Sequence, residues 1–242
     1  MRSGARALSC GVAITQVRID APVAGYAAGL AVVRALSERP LDIAPVTIFT
    51  GDNGAGKSTL VEAIAAAAGA NAGGGSRNAR FTAADHSALH ESLTLRRTAN
   101  FPDVYFLRGE TYIELSEYHA GLTEDPLSHL TRRSHGQGIM ELARTRFGAN
   151  SLIVLDEPED GLSVFSQLEL LGLLAVLSRR GAQVIMATHS PVLLAVPGAR
   201  IVEVPSLEQV HYSAAEPVTA TREFIRDPAG TAAYLVESLG GP

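Results

Sequence analysis

Basic charge, cysteine and long apolar runs are all scarce in this chain. Its 242 residues carry a formal net charge of −5 at pH 7. That balance gives no basic footprint of the kind a nucleic-acid surface requires. The arginine pairs at 96–97, 132–133 and 179–180 are scattered, and solvated surface is the expectation for them. Cys10 is the single cysteine, so no internal disulfide forms and a reducing compartment suits the chain. Ala7-Leu8-Ser9-Cys10 has the outline of a lipoprotein cleavage site, but no apolar segment precedes it. No stretch approaches about 18 continuous apolar residues, so no transmembrane helix is expected. His86 and His90 could share a helix face with Glu91, yet they are too few for a metal site. A cytoplasmic protein without a transmembrane segment is the expectation, and nucleic acid is a disfavoured partner but stays open.

What is present is concentrated in a few motifs. Gly51-Asp52-Asn53-Gly54-Ala55-Gly56-Lys57-Ser58 is a complete phosphate-binding loop. It follows the apolar strand pattern Val46-Thr47-Ile48-Phe49 and precedes a helix pattern over 59–68. Glycines let the backbone curl so that successive N–H groups point at phosphate oxygens. The helix that follows presents its positive end to the same anion. Lys57 can reach the β- and γ-phosphates, and Ser58 can hold magnesium.

Residues 151–157, Ser-Leu-Ile-Val-Leu-Asp-Glu, form an apolar run without alternation that ends in two carboxylates. Such a run suits a strand covered on both faces. Asp156 at its end would hold magnesium. Glu157, one residue on, points differently and can face an attacking water. A further apolar run, Gln183-Val184-Ile185-Met186, leads to Ala187-Thr188-His189-Ser190-Pro191. A histidine at that strand end can donate a hydrogen bond to the γ-phosphate. Ser134-His135-Gly136-Gln137-Gly138 stands before an amphipathic helix expected over 139–147. Serine, glycine and a helix N-terminus make a second anion cradle. One nucleotide rarely needs two cradles, so the second is expected to serve the nucleotide of another subunit.

These four elements in this order resemble the ATP-binding-cassette (ABC-type) ATPases. More narrowly, the chain resembles a small stand-alone bacterial group of AAA/ABC-type ATPases. The matching stretches are Phe106-Leu107-Arg108-Gly109-Glu110, Ser134-His135-Gly136, Leu155-Asp156-Glu157-Pro158-Glu159, Ala187-Thr188-His189-Ser190-Pro191 and Gly73-Gly74-Gly75-Ser76-Arg77-Asn78. The resemblance runs from about Tyr26 to the C-terminus. It implies a P-loop NTPase fold, α/β, with a mainly parallel central sheet flanked by helices and a reduced helical subdomain. It implies ATP and Mg2+ as ligands, with nucleotide contacts from Asn53, Gly54, Ala55, Gly56, Lys57, Ser58 and Thr59. Metal would be held by Ser58 and Asp156, and Glu110 is a further candidate. Glu157 would be the catalytic base and His189 the switch histidine. Ser134, His135, Gly136 and Gln137 would form the signature, acting across an ATP-dependent homodimer.

The chain departs from the transporter pattern at several positions. His135 stands where most signatures have glycine, although the stand-alone group also carries histidine. Gln137-Gly138 stands where that group more often has Glu-Ser. Ser163 stands where transporter cassettes usually have aspartate, and Glu110 where they carry a glutamine. A carboxylate at 110 could bind magnesium or its waters, or could be a surface group. Tyr26 could stack on adenine; the favoured expectation is a core position on a helix over 26–36, with Leu30, Val33 and Leu36 on the same face. Arg77 and Arg80 could reach nucleotide, although solvated surface is the stronger expectation.

Spacing narrows the class. Lys57 and Asp156 are 99 residues apart, too close for the coiled-coil arms of chromosome-maintenance ATPases. Ser134 follows Glu110 by 24 residues, short for the subdomain that grips a membrane partner in transporters. One ABC-type domain over 1–242 is expected, with a small helical or loop subdomain at about 116–148. Strands are expected at 12–19, 104–107 and 111–115, a flexible loop at 73–75, and a polar irregular segment at 118–133. A leucine-rich helix is expected at 163–179, a hairpin pairing 201–204 with 210–212, and a last helix at 228–239. The expected function is ATP hydrolysis driving a conformational switch. The alternatives are a transporter's nucleotide-binding subunit, or a nucleotide-gated module in DNA repair or defence. The protein partner and process are not legible.

Overall fold

The computed structural model describes residues 13–76, 87–122 and 125–239. Cys10, Arg77, Asn78, Arg80 and His86 lie outside the described residues. The strands in chain order are β1 Ile14–Ile19, β2 Leu41–Asp42, β3 Val46–Thr50, β4 Gly75–Ser76, β5 Leu93–Arg97, β6 Val104–Arg108, β7 Leu152–Asp156, β8 Gln183–Ala187, β9 Arg200–Glu203 and β10 Glu208–Val210. The helices are α1 Ala31–Glu38, α2 Lys57–Ala68, α3 Leu89–Ser92, α4 Tyr112–Ala120, α5 His135–Arg146, α6 Val164–Arg179, α7 Glu216–Arg226 and α8 Pro228–Leu239. Seven strands form one sheet in the order β10-β9-β3-β8-β7-β6-β4. Its interior pairings, β9 to β3 to β8 to β7 to β6, are all parallel, and the two edges are antiparallel. A second, antiparallel sheet runs β2-β1-β5.

The interior strands bury both faces, which explains why their sequences do not alternate. Ile48, Tyr105, Leu107, Ile153 and Leu155 pack with Ile139, Leu142, Leu170 and Leu174 of α5 and α6. The other face sets Phe49, Phe106, Val154 and Ile185 against Leu60 and Ile64 of α2 and against Ile14 and Val17 of β1. Gln183 ties the two sheets together. Its side-chain amide accepts from Ile14 N–H at 2.9 Å and donates to Ile14 O at 2.8 Å and Ala44 O at 3.0 Å. A buried amide so satisfied stabilises rather than costs.

Five expectations need correction. Residues 111–115 are not a strand: Thr111 precedes α4, whose buried Tyr112, Leu115, Ser116 and His119 recur at helical spacing. The 26–36 segment is not one helix. A 3-10 turn at Gly25–Gly29 ends at an extended Leu30 before α1 begins. Tyr26 is therefore off the face of Val33 and Leu36, and it is 66% exposed. The signature helix starts at His135 instead of 139. The glycine run at 73–75 is not all loop, because Gly75 pairs with Phe106 at the sheet edge. The 118–133 segment begins inside α4, and α7 was not anticipated. The terminal hairpin, α6 and α8 stand within a residue or two of expectation.

Candidate functional site

The parallel strands deliver their C-terminal ends to one place. Register sets Arg108 beside Asp156, and Asp156 beside Ala187. Between β3 and α2 the chain turns through the phosphate-binding loop. Gly51 has φ 134°, and a Cβ there would meet Val204 O at 2.2 Å. Gly56 caps α2 in the left-handed region at φ 95°. Both positions require glycine, and both shape a cradle at a helix N-terminus. Lys57 is buried, and its Nζ donates to Gly51 O and Asp52 O, both at 2.9 Å. Burial lowers its pKa, opposed by Glu157 and Asp156.

Asp156 is 4% exposed. Burial pushes its carboxyl up to about 6, against the pull of Arg108 and a hydrogen bond from Ser58. Arg108 Nε lies 3.4 Å from Asp156 Oδ2, and its other nitrogens reach Glu62 of α2 at 2.9 Å and Glu110 at 3.7 Å. Glu110 itself is 75% exposed in its side chain, so it sits at the rim. Asp156 Oδ1 is buried without a hydrogen-bond partner. An orphaned carboxylate oxygen near a serine hydroxyl fits a hard, oxygen-seeking cation such as magnesium.

The raised Asp156 pKa has a consequence for the metal-free protein. The fold holds this proton more tightly than the unfolded chain, whose carboxyl titrates near 3.8. Asp156 therefore favours folding below that pH, and the contribution is lost as pH rises through about 6. The loss is on the order of 3 kcal/mol. Asp156→Asn should remove this slope and raise Tm at neutral pH in chelator-treated protein. Thermal melts across the acid range check it; parallel profiles for parent and variant would contradict it.

Glu157 adopts φ 47°, a left-handed conformation that glutamate rarely takes. Its N–H donates to Ala187 O at 2.9 Å. Glu157 Oε1 ends 3.8 Å from His189 Nε2, a ring nitrogen that is buried without a hydrogen-bond partner.

The signature residues gather on the next turn. Ser134 caps α5, and its hydroxyl accepts from Gln137 N–H while Gln137 Oε1 accepts from Ser134 N–H, each at 3.4 Å. This reciprocal cap is what glutamine at 137 supplies. Gly136 packs on Gly161, where a Cβ would meet the carbonyl oxygen at 2.6 Å. The His135 ring lies 4.7 Å from that of Tyr112 and also faces Gly161. Ser134 and Gln137 remain exposed. Exposed Tyr26 reaches the start of α2, its hydroxyl 3.5 Å from Thr59 Oγ1.

The structure thus brings together Lys57, Ser58, Asp156, Glu157 and His189, with Glu110 at the rim, while His135 and Gly136 pack beside Gly161. Sequence reasoning missed the parts played by Arg108, Glu62 and Glu159. Arg108 and Glu159 were visible only as members of matched stretches. Among the described residues no further group of metal-ligating side chains stands out, and no helix is long and apolar enough to cross a membrane.

Comparison with known proteins gives consistent findings. A family model described as "AAA domain" matches residues 34–151. Another, described as "AAA domain, putative AbiEii toxin, Type IV TA system", matches residues 128–195. The zinc import ATP-binding protein ZnuC of Pseudomonas aeruginosa (strain UCBPP-PA14) is 32% identical over 163 residues, 64% of this chain and 60% of ZnuC. This chain therefore spans about 60% of the length of that relative. The cytochrome c biogenesis ATP-binding export protein CcmA of Gluconobacter oxydans (strain 621H) is 31% identical over 174 residues, 70% of this chain and 79% of CcmA. A solved "putative metal-chelate type ABC transporter" in an inward-facing conformation has the same fold. It superimposes with a TM-score of 0.50 at 16% identity, over 87% of this chain and 89% of that one.

Proposed function

The chain belongs to the ATP-binding-cassette ATPases, and from that premise we propose that it hydrolyses ATP as a head-to-tail homodimer. Each nucleotide would lie between residues 51–59 of one subunit and residues 134–137 of the other. Family membership supports ATP binding and hydrolysis in an ABC-type module. One observation supports the dimer and the residue roles above others. The phosphate loop, Asp156, Glu157 and His189 share one strand-end site, whereas the Ser134 cap sits exposed on the Gly136–Gly161 contact. A two-fold axis makes both composite sites equivalent, so one self-complementary surface suffices.

In this reading the loop amides and Lys57 bind the β- and γ-phosphates. Ser58 and Asp156 would hold magnesium, which when bound neutralises phosphate charge as it develops. Glu110, on the rim and tied to Arg108, would complete the acidic wall. Glu157 accepts the proton of the attacking water. His189 Nε2 donates to the γ-phosphate, which gives the orphaned nitrogen a partner. Tyr26, exposed beside Thr59, stacks on the adenine. Ser134 accepts from Gln137, which leaves its hydroxyl hydrogen to donate to the opposite nucleotide. ATP closes the pair and hydrolysis opens it.

Ser134→Arg tests the arrangement. It should leave folding and most ATP affinity intact, abolish turnover and keep the protein monomeric by light scattering with ATP. Full turnover in this variant would contradict the shared site. The similarity to ZnuC and CcmA favours a second reading, a transporter's nucleotide-binding subunit. Co-purification with a membrane permease would favour it; ATP turnover by the isolated chain would favour the first.

A further inference from the structure

The turn after β7 carries a third carboxylate that the roles above leave unused. Glu159 is largely buried, and burial raises its pKa while hydrogen bonds from Thr188 and His189 lower it. Its Oε1 accepts three bonds: from the Thr188 hydroxyl at 2.7 Å, from His189 N–H at 2.7 Å and from Ser190 N–H at 3.1 Å. Hydrogen bonds to a carboxylate are about twice as strong as neutral ones. These three fall on the residues on either side of the His189 ring, and on His189 itself.

The brace continues beyond Glu159. Ser190 N–H also donates to Thr188 Oγ1 at 3.0 Å. The Ser190 hydroxyl donates to Gln167 Oε1 at 2.6 Å, and Gln167 Nε2 donates to Leu162 O at 3.1 Å. At the other end, Glu157 N–H holds Ala187 O at 2.9 Å. The segment 187–190 is therefore clamped at both ends by the chain that runs from Glu157 to Gln167. The same chain includes Gly161, on which His135 and Gly136 pack. The carboxylate that sits beside His189 and the carboxylate that anchors its backbone are two residues apart on one turn.

We infer that Glu159 is the positioning residue for His189: it fixes the histidine beside Glu157 and so sets the rate of ATP hydrolysis without touching the nucleotide. This inference rests on the hydrolytic reading above. Loss of the brace lets the ring drift, and a 1 Å misplacement costs about 10²-fold in rate. Nucleotide binding, which rests mainly on the phosphate loop, changes far less than the rate.

The test compares kcat, KM and ATP affinity in Glu159→Ala and Glu159→Gln. Alanine should lower kcat by about 10²-fold while KM and calorimetric affinity change by far less. Glutamine keeps an oxygen that can accept all three bonds and should restore most of the rate. Added to His189→Ala in single-turnover assays, Glu159→Ala should cost nothing more, because both remove one interaction. Hydrogen exchange reads the brace directly: the His189 and Ser190 amides should lose protection in the alanine variant and keep it in the glutamine variant. Should Glu159→Ala fail to fold, Thr188→Val removes one of the three donors and should show the same kcat loss, smaller in size. An unchanged kcat, losses that multiply in the double variant, or amides that stay protected would overturn the inference. A parent protein that releases no phosphate would instead sink the hydrolytic reading.

Discussion

Lys57→Ala is expected to weaken ATP binding by at least about 100-fold and to abolish turnover. The lysine is buried at the first turn of α2, where its ammonium already donates to Gly51 O and Asp52 O at 2.9 Å. These carbonyls hold the charge at the mouth of the cradle. Glu157 and Asp156 raise its pKa against the lowering by burial, so acidic neighbours favour the charged form. A hydrogen bond to a charged group is worth about 1.5–3 kcal/mol. Losing contacts to two phosphates therefore costs at least two decades of affinity, at 1.4 kcal/mol per decade. Calorimetric titration with ATP and magnesium measures the change. The variant should keep its fold, because alanine is a good helix former and no salt bridge is broken. Unchanged affinity would remove the phosphate loop from the account.

Glu157→Gln is expected to leave ATP binding intact and to slow hydrolysis by about 10²- to 10⁴-fold, the usual worth of a general base. Glutamine preserves the shape and the His189 contact at 3.8 Å but cannot take a proton. Glutamine differs only at the end of the side chain, so the backbone at φ 47° should persist and the loss should be chemical. Two other carboxylates could stand in as base. Glu110 is 75% exposed and paired with Arg108, and Glu159 gives one oxygen to three hydrogen bonds and buries the other. Neither has Glu157's place beside His189. Single-turnover phosphate release gives the rate. A variant as fast as the parent would move the base elsewhere.

The site was legible wherever one residue type has one chemical use. Gly51, Gly56, Lys57 and Ser58 fit the pattern of a phosphate-binding loop, and Asp156 ends an apolar run of the kind that suits a covered strand. Arg108 was not legible, because an arginine after an apolar strand is usually surface. Only the register of β6 on β7 brings its guanidinium to Asp156. Glu159 was hidden for a related reason: its donors are 29 to 31 residues away, on the loop after a different strand. Residues 111–115 misled because Thr, Tyr and Ile favour strands. The periodicity that decides for a helix appears only when Ser116 and His119 are included. Tyr26 misled because an extended Leu30 interrupts what reads as continuous helical spacing. The central parallel sheet follows from Val46–Thr50, Leu152–Asp156 and Gln183–Ala187, whose unbroken apolar runs need cover on both faces.

The central claim is that one subunit's Ser134 completes the other subunit's site, and mixing two inactive variants tests it most directly. Lys57→Ala lacks the phosphate grip, and Ser134→Arg blocks the opposite cradle. In a heterodimer of the two, both lesions fall in one composite site, and the second site has an intact loop and an intact signature. Phosphate release by the mixture should exceed that of either variant alone and rise with the fraction of heterodimer. A mixture no more active than its components, alongside a parent that hydrolyses ATP at full rate as a monomer, would contradict the account.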